Sequence, residues 1–179
     1  MRDLSQYDGL RPEIKTGDLL EFASNGIIGS LITKVTRKDV SHSALVVRLP
    51  YNNSPRRYII EAIRTGVEFQ LLSDVLQHYD GSVIWYGLRP EYDGKRDAIG
   101  EWAFNELSQH KGYDFGGVVS QLWQRVSLDA KRYFCSELVD AAYTNCGILQ
   151  PDPAGARRPG DFVPTGIFSR QAHLWGEQR

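Results

Sequence analysis

Two cysteines are the side chains in this sequence best suited to nucleophilic chemistry. Apolar residues recur at spacings of three and four from Leu138 to Cys146, which predicts a helix, and Gly147 stands where helices often end. This interpretation places Cys135 in the first turn and Cys146 in the last. The N-terminal end of a helix dipole favours the thiolate, so Cys135 is the candidate nucleophile. The alternative is that both cysteines are small buried hydrophobic residues.

A nucleophilic cysteine needs a base within hydrogen-bond reach, and the chain contains four histidines. His78 and His110 end helical patterns, where histidine commonly caps carbonyl groups. His173 lies in the C-terminal tail. His42 differs from these three because it stands at the entrance of a strand that is apolar on both faces. We therefore take His42 as the candidate base.

Glu61 is an acidic residue that shares one face of a predicted strand with Ile59 and Ile63. A buried carboxylate needs a partner. If the preceding turn centres near residue 52, the numbers of antiparallel partners sum to about 103 to 105. With an odd sum, the side chains of His42 and Glu61 lie on the same face of the sheet. His42 is then either directly opposite Glu61, or opposite Ile63 and diagonal to Glu61. With an even sum, the two side chains lie on opposite faces. Glu61 would then orient the imidazole toward Cys135.

Two further points follow from this arrangement. The backbone N–H of Cys135, at the start of a helix, could help to bind an oxyanion. The alternative for His42 and Glu61 is a pair of core polar groups that satisfy each other.

The sequence contains no close ligand pair such as CxxC or HExxH and no Gly-rich phosphate loop, so we expect neither a metal nor a cofactor.

A block of strands precedes a block of helices, which indicates an α+β fold. Five strands are predicted over 19–23, 43–49, 57–63, 67–71 and 83–88. Helices are predicted over 73–79, 95–109, 118–126 and the segment that carries Cys135. We interpret residues 17–88 as an antiparallel meander with small helical insertions, residues 1–13 as a loose polar lead-in, and the proline-rich tail as extended or looped.

The bulk composition is that of an ordinary soluble globular protein, with 41% hydrophobic and 24% charged residues. A net charge of -1 does not indicate nucleic acid or an anionic membrane as a partner. We expect one domain over residues 1–179, with a core from about residue 16 to 146. The two thiols should be free, because they are separated by about 15 Å of helix. No apolar leader or membrane span is evident, which predicts a cytoplasmic protein.

Five short motifs follow one another in an order typical of one protein family. They are Gly17–Phe22, Ser41–Val46, Ile60–Ala62 with Gly66 and Val67, Tyr113–Phe115, and Phe134–Val139. This order resembles the circularly permuted NlpC/P60 hydrolases, the papain-like group that contains YiiX/YebB-type proteins and is related to lecithin:retinol acyltransferase. The resemblance implies a small antiparallel sheet packed against the cysteine helix. It also implies Cys135 as nucleophile, His42 as general base, Glu61 as orienting residue and Tyr113 in the substrate pocket.

The resemblance predicts a cysteine hydrolase, an amidase or peptidase, that cleaves amide or isopeptide bonds through an acyl-thioester. One alternative is a lipid-directed thioesterase or acyltransferase with the same triad, which an exposed apolar patch near the site would favour. Another is a non-catalytic binding or structural module. The loop 50–55 and the tail 150–179 have no counterpart in the resemblance and could shape the substrate pocket. The acyl group, the leaving group and the oligomeric state stay open.

Overall fold

The computed structural model describes residues 2–24, 40–63, 66–109 and 129–176, with the backbone alone at Ser24 and over 129–134. Three of the predictions above lie outside these ranges. They concern Tyr113, His110 and the helix expected over 118–126.

Six antiparallel strands form one sheet, which confirms the α+β class. The strands are β1 (Leu19–Ser24), β2 (His42–Leu49), β3 (Arg56–Ile63), β4 (Gly66–Leu71), β5 (Gly81–Leu88) and β6 (Phe168–Trp175). Their order in the sheet is β4-β3-β2-β1-β5-β6. The first four strands follow the predicted meander. The prediction is wrong for β5, which returns across the sheet to pair with β1 instead of following β4.

Four helices accompany the sheet within the described residues: α1 (Ser5–Leu10), α2 (Leu72–His78), α3 (Arg96–Gln109) and α4 (Asp129–Asn145). Short 3-10 turns occur at Pro90–Lys95 and Val163–Thr165. Helix α2 occupies the connection that carries the chain from β4 back to β5, so this short insertion is what changes the strand order.

Helices cover both faces of the sheet because each face presents apolar side chains. On one face, Leu45 and Ile60 belong to a buried cluster with Val139 and Tyr143 of α4. On the other face, Ile59 and Val46 belong to a second cluster, which includes Leu72 and Leu76 of α2. This two-sided burial matches the continuous apolar run of β2 and gives the strand its interior position in the sheet.

The N-terminal lead-in is ordered, contrary to the prediction of a loose segment. Residues Ser5–Leu10 form α1, and the ring of Tyr7 is buried in the second cluster together with Ile14. A six-residue helix that contains Gly9 has little intrinsic stability, so tertiary packing holds it. Such packing leaves no periodic signal in so short a stretch.

The C-terminal tail is part of the sheet and its core. Strand β6 pairs with β5, and Phe162, Ile167 and Leu174 are buried. Arg157 forms an ion pair with Asp140 of α4, with 2.7 Å between the nitrogen and the oxygen. These contacts fasten the tail to both the sheet and the cysteine helix.

Candidate active site

His42 and Glu61 meet as the strand register predicts. Leu45 lies opposite Ile60 and Val46 opposite Ile59, so partner numbers sum to 105, an odd value. Continued to the end of the strands, this register makes Glu61 the diagonal neighbour of His42. The backbone pairing of β2 with β3 begins at Leu45. Between Leu45 and the start of β2 the two strands are joined through side chains, because Nε2 of His42 contacts Oε2 of Glu61. Both side chains are mostly shielded, at 23% and 10% exposure.

Cys135 is buried in α4, but it is not in the first turn. The helix begins at Asp129, so Cys135 is its seventh residue and lies in the second turn. Only the first four N–H groups of a helix lack an intrahelical acceptor. The prediction that the Cys135 N–H is free for an oxyanion is therefore wrong, and the influence of the helix dipole on the thiol is weaker than expected.

The C-terminal end of α4 agrees better with the sequence. Gly147 has a left-handed φ of 66°. Its N–H donates to Thr144 O, and the Ile148 N–H donates to Tyr143 O, which together form a Schellman cap. Cys146 follows the last helical residue, and burial raises the pKa of its thiol. Among the described residues, Cys146 has no histidine partner that would favour its thiolate.

The imidazole of His42 connects Cys135 to Glu61. Burial by itself lowers the pKa of His42, but the negative charge of Cys135 and a side-chain hydrogen bond with it raise this pKa, as do the hydrogen bond and charge of Glu61. The net effect raises the pKa of His42 to about 10. Because Glu61 occupies Nε2, Nδ1 is the ring nitrogen left for the sulfur. The arrangement favours the protonated, imidazolium form of His42, which is hydrogen-bonded to both Cys135 and Glu61.

Glu61 has a second partner that the sequence did not single out. The side-chain amide of Gln70, on β4, donates to Oε1 of Glu61 at 3.1 Å and to Oε2 of Glu68 at 3.1 Å. Glu68 lies directly opposite Glu61 in the sheet. The amide therefore separates two like charges and leaves Oε2 of Glu61 for His42. Because β4 mixes polar and apolar residues, nothing in the sequence indicates that its glutamine binds Glu61.

An aromatic wall supports the imidazole. The ring of Phe22 packs edge-on against His42, with centroids 5.3 Å apart, and Tyr79 packs edge-on against Phe22 at 5.1 Å. Burial and the charge of Glu61 raise the pKa of Tyr79 to about 12, against a lowering by its hydrogen bond with Ser41. The phenol thus stays neutral beside the acid, and the two rings restrict the orientation of His42.

The other predicted histidines lie elsewhere. Nδ1 of His78 is 2.8 Å from Asp74 O, one turn earlier in α2, which agrees with the capping role that we predicted. His173 lies on β6, separated from β2 by β1 and β5. Among the described residues, no group of three or more His, Cys, Asp or Glu side chains is arranged to hold a metal ion. Within the same residues, no helix is long and apolar enough to cross a membrane.

The described residues place a buried cysteine on a helix near a histidine at the start of a sheet strand, and this histidine contacts an acid on the next strand. A family model for permuted papain-like amidase enzymes of the YaeF/YiiX type, the C92 peptidase family, matches residues 13–155. The chain belongs to this family.

A search of solved structures gives a related chain, described as the metalloprotein yiiX from Escherichia coli O157:H7. The two chains are 25% identical, with a TM-score of 0.49. The match covers 74% of this chain and 66% of the other, so it spans somewhat less than two thirds of that relative. No curated protein matches the chain.

Proposed function

We propose that this protein is a cysteine hydrolase that cleaves amide bonds through an acyl-thioester on Cys135. In this proposal His42 exchanges protons with the substrate and Glu61 orients the imidazole. The observation that carries the proposal is the hydrogen-bonded series from Cys135 through His42 to Glu61. Membership of a permuted papain-like amidase family supports the choice of an amide as substrate.

The first half of the proposed reaction transfers the acyl group to sulfur. The Cys135 thiolate attacks the carbonyl carbon, which forms a C–S bond and moves an electron pair to the carbonyl oxygen. The intermediate collapses as the C–N bond breaks, and the His42 imidazolium gives its proton to the leaving nitrogen. The raised pKa of His42 supports this role because it keeps the proton donor charged at neutral pH.

The second half returns the enzyme to its starting state. Neutral His42 takes a proton from a water molecule, and the resulting hydroxide attacks the thioester carbonyl. The C–S bond then breaks, which releases the carboxylic acid and regenerates the thiolate beside the imidazolium. The Glu61 carboxylate stabilises the charged imidazolium at both stages and stays ionised throughout.

A lipid-directed reaction with the same residues has less support. An exposed apolar patch beside the site would favour it. In the described part of the chain, the exposed large hydrophobic side chains are Tyr51, in the β2–β3 turn, and Val163, at the start of a 3-10 turn. Tyr51 follows the end of β2 that is opposite to His42.

The first experiment measures the alkylation rate of each cysteine by iodoacetamide from about pH 5 to 9 by peptide mass spectrometry, because the reactive form is the thiolate. Cys135 should react well below the ordinary thiol pKa of about 8.5, and the His42→Ala variant should lose this early reactivity. Cys146 provides an internal control in the same sample, since burial raises its pKa.

A second readout tests covalent catalysis directly. With p-nitrophenyl acetate, wild-type protein should gain one acetyl group on Cys135 that hydroxylamine removes, and Cys135→Ser should not. The matched Cys146→Ser variant should acetylate like wild type. If Cys135 reacts only near pH 8.5 or forms no acetyl adduct, the nucleophile assignment is wrong and a binding module becomes the better interpretation.

A further inference from the structure

The turn between β2 and β3 borders a cavity of about 460 Å³ at the end of the sheet remote from the candidate active site. We call it the turn cavity; residues 51–54 of the turn, α1 and the start of α2 contribute to its lining. His42 begins β2 and the turn follows Leu49, so the two ends are separated by roughly 23 Å of strand. The loop 50–55 therefore does not shape the candidate active site, contrary to one of the possibilities above.

Three arginines line the turn cavity, namely Arg11, Arg56 and Arg57. Among the described residues none of them forms an ion pair with a carboxylate. Asp8 is close enough for its charge to act on Tyr7 in the cavity wall, but it is exposed and forms no ion pair with these arginines. The cavity therefore concentrates positive charge that the described side chains do not neutralise.

Arg57 is the most unusual of the three because it is only 3% exposed. Its guanidinium donates to the backbone carbonyls of Ile14 at 3.1 Å, Pro55 at 2.6 Å and Pro12 at 3.3 Å. These bonds hold the group in place, but neutral carbonyls do not cancel its charge. Burying a charge without a counter-ion is costly, so a bound anion would relieve this cost.

The other two arginines are held toward the turn. Arg11 donates to Oγ of Ser54 at 3.1 Å, and the guanidinium of Arg56 lies 4.3 Å from the ring centroid of Tyr51. Both contacts are local and leave several N–H donors of each guanidinium without a described acceptor. The two groups are thus positioned before any ligand arrives, which lowers the entropic cost of binding.

We propose that the turn cavity binds a phosphate monoester through the guanidinium groups of Arg11, Arg56 and Arg57. A guanidinium group can donate two parallel hydrogen bonds to two oxygens of one phosphate. Three guanidinium groups offer more N–H donors than the two oxygens of a single carboxylate can accept. The side chains of Asn52, Asn53 and Ser73 add neutral polar groups to the lining. A cavity of about 460 Å³ also has room for an organic group beside the phosphate.

The test compares two probes that share an aromatic ring and differ in the anion, phenyl phosphate and benzoate. Isothermal titration calorimetry on the full chain should show phenyl phosphate binding at least about tenfold more tightly. Arg11→Gln and Arg56→Gln should each weaken phenyl phosphate by about tenfold, and the exposed Arg89→Gln outside the cavity should not. Arg57 is left unchanged because its three backbone contacts support the fold.

A parallel arm identifies the source of the phosphate. Phosphatidylcholine vesicles with and without phosphatidic acid are sedimented with the protein. Binding to phosphatidic acid alone, lost in Arg11→Gln, would assign the site to a lipid headgroup, whereas phenyl phosphate binding assigns it to soluble monoesters. Equal affinity for benzoate, or phenyl phosphate binding that survives in a variant combining Arg11→Gln with Arg56→Gln, would overturn the proposal. Alkylation of Cys135 should be the same in all these variants, which keeps this test separate from the proposed hydrolase activity.

Discussion

Asp18, which directly precedes β1, and Glu61, on β3, are two buried acids whose side chains are 1% and 10% exposed, and they are held in different ways. Asp18 accepts hydrogen bonds from four fixed donors: the backbone N–H groups of Lys15 and Leu88, the indole of Trp85 and the guanidinium of Arg96. Every donor stays protonated near neutral pH. This carboxylate connects the start of β1 to β5 and α3, and its role is structural.

Glu61 instead has a partner that can change its protonation state. One oxygen accepts from the amide of Gln70 and the other contacts the imidazole of His42, which in turn bonds to Cys135. The comparison shows that burial of an acid does not by itself mark a functional site. What distinguishes Glu61 is that its charge acts on a histidine that is hydrogen-bonded to Cys135, the proposed nucleophile.

The largest effect that we expect is the loss of stability in Asp18→Ala. The substitution leaves the guanidinium of Arg96 buried without its main counter-ion, which should destabilise the fold by about 3–5 kcal/mol. Urea denaturation measures the change. Asp93→Ala is the matched control, since Asp93 is exposed and binds the same arginine at 2.6 Å, and it should change stability little. A similar loss in both variants would show that burial of Asp18 is not the cause.

Glu61→Gln should have the opposite effects, with a large loss of Cys135 reactivity and a small loss of stability. The amide keeps the size of the side chain but removes the charge that stabilises the imidazolium, so acetylation of Cys135 should slow on the order of 100-fold. Stability should change by only about 1 kcal/mol, because a hydrogen bond to His42 is retained. Burst kinetics with p-nitrophenyl acetate and urea denaturation give the two numbers. A variant that is unstable yet fully reactive would make Glu61 a structural acid like Asp18.

The sequence was a good guide wherever a periodic pattern was strong. The predicted bounds of β1, β2, β3 and β5 agree with the structure to within two residues. The pairing of His42 with Glu61 was predictable because the side-chain period of a strand is two and a short turn fixes the register. Most of the candidate site therefore follows from local rules on one hairpin.

The remaining features depend on contacts that are distant in the sequence. Strand β6 is an edge strand in which only one of the eight residues is fully buried, so it lacks an apolar alternation. Three of the four residues 129–132 are charged and give no apolar signal for the start of α4, which is why the sequence places Cys135 in the first turn. Gln70 is recognised only when β4 is placed beside β3.

The protonation of His42 as a function of pH should further distinguish the role of Glu61 from that of Asp18. Its pKa is raised from 6.5 to about 10, so the stability that it contributes is fully present below about pH 6.5 and is lost as the pH rises through about 10. The Cε1–H resonance of His42 should titrate near that value by NMR. The midpoint should fall in Glu61→Gln and fall further in Cys135→Ser, because Cys135 is the larger of the two raising influences.

Asp18→Asn serves as the control for this titration, since Asp18 is not among the groups that act on His42. Its His42 midpoint should equal that of wild type in the folded protein. If the midpoint of wild type lies near 6.5, the charged pair is absent and the distinction between the two carboxylates loses its electrostatic basis.

The smallest effect that we expect is that of Gln70→Leu. Leucine fills similar space but leaves Oε1 of Glu61 without its amide donor and removes the bridge to Glu68. The alkylation rate of Cys135 at neutral pH should fall roughly fivefold, since a missing positioning hydrogen bond is worth about 1 kcal/mol. Glu68→Gln is the matched control, because it keeps the bond from Gln70 to Glu61 and should label like wild type. A purely structural Gln70 would lower the urea midpoint and leave the alkylation rate of the folded protein unchanged, in which case Glu61 is oriented by His42 alone.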